Sequence, residues 1–373
     1  AEIADLIKKD LELFSRGQNP PGRIIWGRYG QGKTHALTTA EHLALDLNFA
    51  VSRVSLSPEV SCHNLFHFYS RVASSIRTPD STVLGLQRAL NRKKPSDLLE
   101  TPLQDASRYP HPLPAYVLED YFHTHGEEQD LLYGNLLGNK LSTAEFKRIH
   151  RQCRGSSLPK YDTFKPNQHA EAYFGVMADA VKFCGYNGWV ILIDELELVA
   201  RLGKVSRLKA YQNLNWLLNW SGGMKYPIFT LGAGANNLQH EVWYSDRPNK
   251  KGDCVLMPEI AQDRLGAGAR AEMVNFFETA IGSSCPSIRS LGENELTSLL
   301  EKLVALHGAA HDWKAELDVP ELIRHIGSTP IRTHIRGALE ALDLRFVYHQ
   351  EFTPQPEKLI ETAFDYDEND NEF

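Results

Sequence analysis

Apolar positions along the chain change period several times, and each change marks an element. Ile3, Leu6, Ile7, Leu11 and Phe14 recur at helical spacing and predict an amphipathic helix that ends at Gly17. Asn19-Pro20-Pro21-Gly22 breaks it. Arg23–Gly27 is a short β-rich run, a glycine-rich turn follows, and Thr34–Leu47 reads as a helix. Ala50–Leu56 predicts a second strand, and His63–Ile76 a helix with Leu65, Phe66, Phe68, Tyr69 and Val72 turned inward. Strand and helix in alternation imply a parallel sheet.

Between Asp80 and Lys165 the strand signals stop. Val83–Asn91, Ala115–His123 and Thr143–Arg154 read as helices between Pro- and Gly-containing breaks, as expected of a helical insertion. The alternation resumes with a helix at Gln168–Cys184, a strand at Trp189–Ile193, a helix at Ser206–Trp220 and strands at Ile228–Leu231 and Cys254–Met257. Glu293–His307, Pro320–Ile326 and Ile331–Val347 predict a small all-helical unit. The expected division is therefore a first part of an α/β core at 1–79, the insertion at 80–165, and the rest of the core at 166–282. A helical lid at 283–350 and an acidic, disordered tail at 351–373 complete it.

Composition adds little to this outline but excludes several classes. With 373 residues, 42% hydrophobic and 23% charged, the chain has ample material for a core. Its longest apolar run, at Trp189–Ile193, falls far short of the roughly 20 residues a spanning helix needs. No apolar leader is visible near the start, so a cytoplasmic protein is expected. Cys62, Cys153, Cys184, Cys254 and Cys285 are scattered without a C-x-x-C pair, which argues for free thiols.

The chemistry begins at Gly27-Arg28-Tyr29-Gly30-Gln31-Gly32-Lys33-Thr34, a G-x-x-x-x-G-K-[ST] loop between a strand and a helix. Glycines let successive N–H groups curl around phosphates, and the helix N-terminus adds positive potential. These eight residues and the following His35 are the expected nucleotide contacts. Lys33 would reach the β- and γ-phosphates of ATP, and Thr34 would offer its hydroxyl to Mg²⁺.

The apolar strand Trp189–Ile193 ends in Asp194-Glu195. Asp194 would complete the metal shell with Thr34, and Glu195 would polarise the attacking water. A glutamate directly after the metal-binding aspartate favours water as nucleophile, hence an ATPase and not a kinase. Glu197 is expected to be solvated or paired with Arg201, four residues on. Asn236, with Thr230 as second choice, could orient the lytic water from the end of the next strand. Arg332, at a helix start with Arg336 one turn on, could reach the γ-phosphate from the lid. Arg264, or its rival Arg247, could act in trans as an arginine finger on a neighbouring subunit of an oligomer.

Taken together, these stretches resemble the AAA+ P-loop ATPases of bacteriophage-exclusion (BREX) defence systems, the C/D-type ATP-binding proteins. The likeness runs over most of residues 20–350. It rests on Gly27–Thr34, Val54-Ser55-Leu56-Ser57-Pro58-Glu59, Tyr69, Ile76-Arg77-Thr78-Pro79, Ile193-Asp194-Glu195-Leu196-Glu197 with Arg201-Leu202, and Thr329-Pro330-Ile331-Arg332 through Leu342-Asp343-Leu344. The resemblance implies an ASCE-type three-layer αβα core with parallel strand order 5-1-4-3-2. It also implies ATP hydrolysis in phage defence or a DNA transaction, with Lys33, Thr34, Asp194 and Glu195 matching the family's nucleotide site. One departure is that the usual Pro-Arg of the lid helix reads Pro330-Ile331-Arg332 here. No fused nuclease, methyltransferase or protease motif is present, so other defence proteins are the expected partners. A nucleotide-gated assembly switch that touches no DNA, and an initiator- or transposition-type ATPase, remain alternatives.

The net charge of −7 first argues against a nucleic-acid partner. Five of those charges, however, come from Asp365, Asp367, Glu368, Asp370 and Glu372. Lys140, Lys147, Arg148, Arg151, Arg154 and Lys160 cluster in the insertion around one acid, Glu145, and Arg88, Arg92, Lys93 and Lys94 form a second basic run. Duplex DNA held by this insertion is therefore compatible with the sequence.

Overall fold

A computed structural model describes residues 2–245 and 251–349. Four strands form one parallel sheet, β1 (Arg23–Gly27), β2 (Ala50–Ser55), β3 (Trp189–Asp194) and β4 (Ile228–Ala235), in the order β1-β4-β3-β2. Every residue of β3 and β4 is buried, as a central parallel strand covered on both faces requires.

The two-residue period of the strands divides the core. Ile25, Val51, Val190, Leu192, Phe229 and Leu231 face α1 (Glu2–Ser15) and α2 (Lys33–Asp46), where Ile7, Leu11, Phe14, Leu37 and Ala40 meet them. Ile24, Trp26, Ile191, Ile193 and Ile228 belong to the opposite, larger core. That core is shared with α3 (Leu65–Ser74), α8 (Pro166–Phe183) and α9 (Lys204–Leu217).

Between α3 and α8 the chain forms α4 (Gln87–Leu90), three short 3-10 turns, α5 (Leu113–Tyr121), α6 (Glu127–Leu136) and α7 (Thr143–Arg154). The helix expected at Val83–Asn91 shrinks to a single turn, because Gly85 takes φ +100°. Ser142 caps α7 by accepting the Glu145 N–H at 3.2 Å. These helices pack directly on the α/β core: the Tyr69 hydroxyl donates to the Leu136 carbonyl, and Tyr173 to Asn135 at 2.9 Å.

After β4 come α10 (Asp253–Leu265) and α11 (Ala267–Ile281). The strand expected at Cys254–Met257 is thus the first turns of a helix. Asp253, Met257 and Ala261 are buried one turn apart, a period that the short apolar run Cys254–Met257 could not reveal. At the β1 edge the chain contributes a single parallel bridge between Trp26 and Ser287, not a strand from α10.

The sequence pattern ends β4 at Leu231, yet the glycine-rich strand runs to Ala235. Gly232 and Gly234 are packing positions: a Cβ there would lie 2.6 Å from Leu196 and Trp26 side-chain atoms.

The last helices, α12 (Glu293–His311), α13 (Val319–Ile326) and α14 (Ile331–Tyr348), enclose a small core of Leu296, Leu300, Val319, Leu322, Ile326 and Ala338. His307, His311 and Asp343 come within ligating distance of one another there. The Trp313 indole N–H, however, donates to His307 Nδ1 at 3.0 Å, so the ring proton sits on Nε2 and is given to Asp343 at 2.9 Å. His307 therefore presents no lone pair to a cation and serves to tie α12 to α14. No helix among the described residues is long and apolar enough to cross a membrane. The tail at 351–373 and Arg247 lie outside the described residues.

Candidate functional site

The carboxyl ends of β1, β3 and β4 converge, and the charged residues of the sequence motifs gather there. The loop after β1 needs glycine at two places: Gly30 and Gly32 adopt φ +75° and +96°, and Gly32 is the N-cap of α2. The Gln31 side chain closes the loop, accepting the Arg28 N–H at 2.6 Å and donating to Ser290 at 3.0 Å. Gly27 lies under the Lys33 stem, while His35 is exposed on the first turn of α2.

Lys33 is 7% exposed, unusual for an ammonium. Its Nζ faces two acceptors at long range, the Arg28 carbonyl at 3.5 Å and Glu197 Oε1 at 3.9 Å. The Thr34 hydroxyl donates to Asp194 Oδ2 at 3.0 Å, and Asp194 is 3% exposed. A hydroxyl and a carboxylate oxygen converging in this way form the hard-oxygen donor pair that suits Mg²⁺. Arg53, from β2, lies 3.6 Å from Asp194 Oδ2, 2.9 Å from the Thr38 hydroxyl and 3.3 Å from the Thr34 carbonyl. Its companion acid is Glu41, which also pairs with Arg77 at 2.6 Å.

Glu195 takes a left-handed backbone, φ +60°, a strained conformation for a residue with a side chain. Its N–H donates to Asp194 Oδ1 at 3.0 Å, and its side chain stays partly open to solvent. The turn at Glu195 sends the chain into a 3-10 segment, Leu196–Arg201, that folds back beneath β4.

Glu197 differs from its expectation. It is 5% exposed and makes no ion pair with Arg201 among the described residues, and its Oε2 accepts the Ala235 N–H at 2.9 Å. The 3-10 pitch displaces the i+4 alignment with Arg201 that an α-helix would supply. Burial pushes the Glu197 carboxyl up to about 7, with Lys33 pulling it back down.

Of the two sensor candidates, Thr230 lies in the middle of β4, paired with Ile191, and is 1% exposed. It is a core residue and not a strand-end group. Asn236 directly follows the last residue of β4, and its Oδ1 is buried without a hydrogen-bond partner among the described residues. A π-helical turn, Leu238–Trp243, comes next.

Arg332 comes onto the phosphate loop. Its guanidinium lies 4.9 Å from the Tyr29 ring centre and donates to the Tyr29 hydroxyl at 2.8 Å, and its N–H reaches the Gly30 carbonyl at 3.3 Å. Arg336 pairs with Glu340 at 2.7 Å. Arg264 is exposed in the last turn of α10 and makes no hydrogen bond or ion pair to these groups among the described residues. Sequence reasoning overlooked Arg53 and misjudged Glu197. The signal for Arg53 is the one charged residue in a strand of alanine, valine and serine, two residues before the position that pairs with Asp194.

No curated protein matches the chain closely enough to serve as a relative. A family match covers residues 1–92 and 166–328 and leaves out most of the helical segment between α3 and α8. A glycine loop, a buried lysine and a strand-end aspartate at the carboxyl end of a parallel sheet suit nucleotide binding, and by that match the chain belongs to the family of the BREX system ATP-binding protein BrxC/D.

Proposed function

We propose that the chain hydrolyses ATP with Mg²⁺ and couples turnover to a DNA transaction or an assembly step in phage defence. The observation that carries hydrolysis is the convergence of Lys33, Thr34, Asp194 and Glu195 at the carboxyl ends of β1 and β3, the parallel strands on either side of β4. Lys33 and the loop N–H groups would hold the phosphates, and Thr34 and Asp194 would hold the metal. When bound, Mg²⁺ neutralises phosphate charge and orients the terminal group. Glu195 then accepts a proton from water, and Asn236 holds that water from the end of β4. Arg332 approaches from the helical lid, and Arg264 would serve a neighbouring copy.

Support for DNA comes from the exposed bases Arg88, Lys94, Lys140, Lys147, Arg151 and Lys160. A specific observation favours the DNA-free switch as a second reading. Arg92, Arg148 and Arg154 are committed to Asp80, Glu128 and Glu119, which removes much of the free positive charge. In either case the protein would work in the cytoplasm with other defence proteins.

The test is ATP turnover by wild type and Glu195→Gln, with and without duplex DNA. The variant should keep ATP binding and lose about 10²- to 10⁴-fold in turnover, the share a positioned base supplies. Undiminished turnover in Glu195→Gln would remove the base assignment. Stimulation by DNA that weakens steeply with salt supports the first reading, and its absence supports the switch.

A further inference from the structure

We propose that Glu197 is a positioning residue that couples the phosphate-loop lysine to the strand end presenting Asn236. This rests on the hydrolytic reading above and extends it to a residue outside the usual strand-end pair.

The argument starts from unequal contacts on one carboxylate. Glu197 Oε2 is held by the Ala235 N–H at 2.9 Å, a full hydrogen bond, whereas Oε1 stands 3.9 Å from Lys33 Nζ. The other acceptor near that ammonium, the Arg28 carbonyl, is at 3.5 Å, the outer edge of hydrogen bonding. Glu197 is thus fixed to β4 and only loosely engaged with Lys33. A buried ammonium needs a counter-charge, and phosphate would be a stronger one than a carboxylate at this range. Lys33 is therefore the mobile partner, and Glu197 competes with phosphate for it.

Packing explains why Glu197 reaches β4 at all. The left-handed turn at Glu195 drops Leu196 onto β4, where the absence of side chains at Gly232 and Gly234 makes room for it. Leu196 in place sets Glu197 against Ala235, one residue before Asn236. The Asn236 side-chain Oδ1, buried and without a partner among the described residues, would be aimed by whatever fixes that strand end. Glu195, half-open and strained, is left for the chemistry, while Glu197 holds the two flanking parts in register. The raised carboxyl of Glu197 agrees with this, since its burial is only partly offset by a distant lysine.

The test uses the full chain in four forms: wild type, Glu197→Gln, Glu197→Ala and Glu195→Gln. A fluorescent ADP titration and the turnover number would be read for each, with thermal melts to confirm folding. Glu197→Gln keeps an acceptor for the Ala235 N–H but removes the anion facing Lys33. It should bind ADP about three- to tenfold more tightly, roughly 0.7–1.4 kcal/mol, and lose less turnover than Glu197→Ala. Glu197→Ala leaves the Ala235 N–H unpaired and should also bind ADP more tightly, but lose about tenfold or more in turnover. The proposal is overturned if Glu197→Gln binds ADP no more tightly than wild type, or if its turnover falls as far as that of Glu195→Gln. A wild type that binds ADP yet leaves ATP intact would remove the hydrolytic reading alone. The ADP comparison would still decide whether Glu197 restrains Lys33.

Discussion

Two regions of this molecule are rich in charge and use it in opposite ways. At the carboxyl end of the sheet Lys33, Asp194 and Glu197 are all at most 7% exposed, and the lysine's contacts are long. In the helical segment between α3 and α8, Arg92–Asp80 at 2.5 Å and Arg148–Glu128 at 2.7 Å are close pairs lying in solvent. Desolvation decides the difference. Burying a charge without a close partner is costly and persists where a ligand supplies the missing counter-charge, whereas exposed pairs cost little and contribute little. The helical segment also contains one buried pair that behaves like neither. Asp120, fully buried on α5, accepts a hydrogen bond at Oδ2 from His150 Nδ1 of α7 at 2.7 Å. Its carboxyl is pushed up by burial and held back by His150.

That third case gives the largest expected effect. Asp120→Ala should destabilise the protein by about 3 kcal/mol, as the loss of one partner of a buried pair does, read by chemical denaturation. ADP affinity should stay unchanged at temperatures where the variant is folded. A matching loss of ADP affinity would show that the two regions are not separable. Next, Lys33→Ala should weaken ATP binding by about 10- to 100-fold, the contribution of one or two charge-assisted contacts, without lowering the melting temperature. A large drop in melting temperature would make Lys33 a structural cation and erase the contrast.

A pH dependence follows from Glu197. Its folded value of about 7 stands above the ordinary 4.5, so the fold favours the protonated form. Its contribution to stability is complete below the ordinary value and is lost as pH rises through the folded one. Glu197→Gln, which cannot ionise, should therefore gain in melting temperature relative to wild type as pH goes from about 5 to about 8. A difference that does not change with pH would place the carboxylate in a solvated setting. The smallest effect belongs to the exposed pairs: Arg148→Ala should change stability by about 0–1 kcal/mol and respond to salt. A larger loss would mean that this surface carries structural weight.

Most of the fold and half of the site were legible in the chain. Parallel α/β organisation follows from strand and helix periods alternating, and the glycine loop is recognisable because its chemistry demands Gly30, Gly32, Lys33 and Thr34 in fixed order. Asp194 and Glu195 are legible for the same reason, being consecutive with an apolar strand before them. Cys254–Met257 misled because four apolar residues satisfy a strand and a helix equally, and only the burial of Met257 and Ala261 one turn apart selects the helix. The strand read at Ile228–Leu231 stops short of Gly232 and Gly234 because a sequence does not say whether a glycine serves backbone freedom or close packing; Leu196 packed against them settles it.

What the sequence by itself determined is therefore the set of local rules: periods, caps, the loop and the acidic strand end, all encoded within a few residues of one another. What only tertiary structure decided is which distant charges meet and which lose water. Glu197 has an identical neighbourhood in the sequence whether it is solvated or buried. It becomes a partner of Lys33 and Ala235 only because β4 lies between β1 and β3 and brings residues 33, 197 and 235 to one end of the sheet. Arg332 likewise reaches Tyr29 across some three hundred residues of chain. Desolvation is a property of that assembled environment and of no stretch of sequence, so the burial that sets the Glu197 carboxyl near neutrality came with the fold.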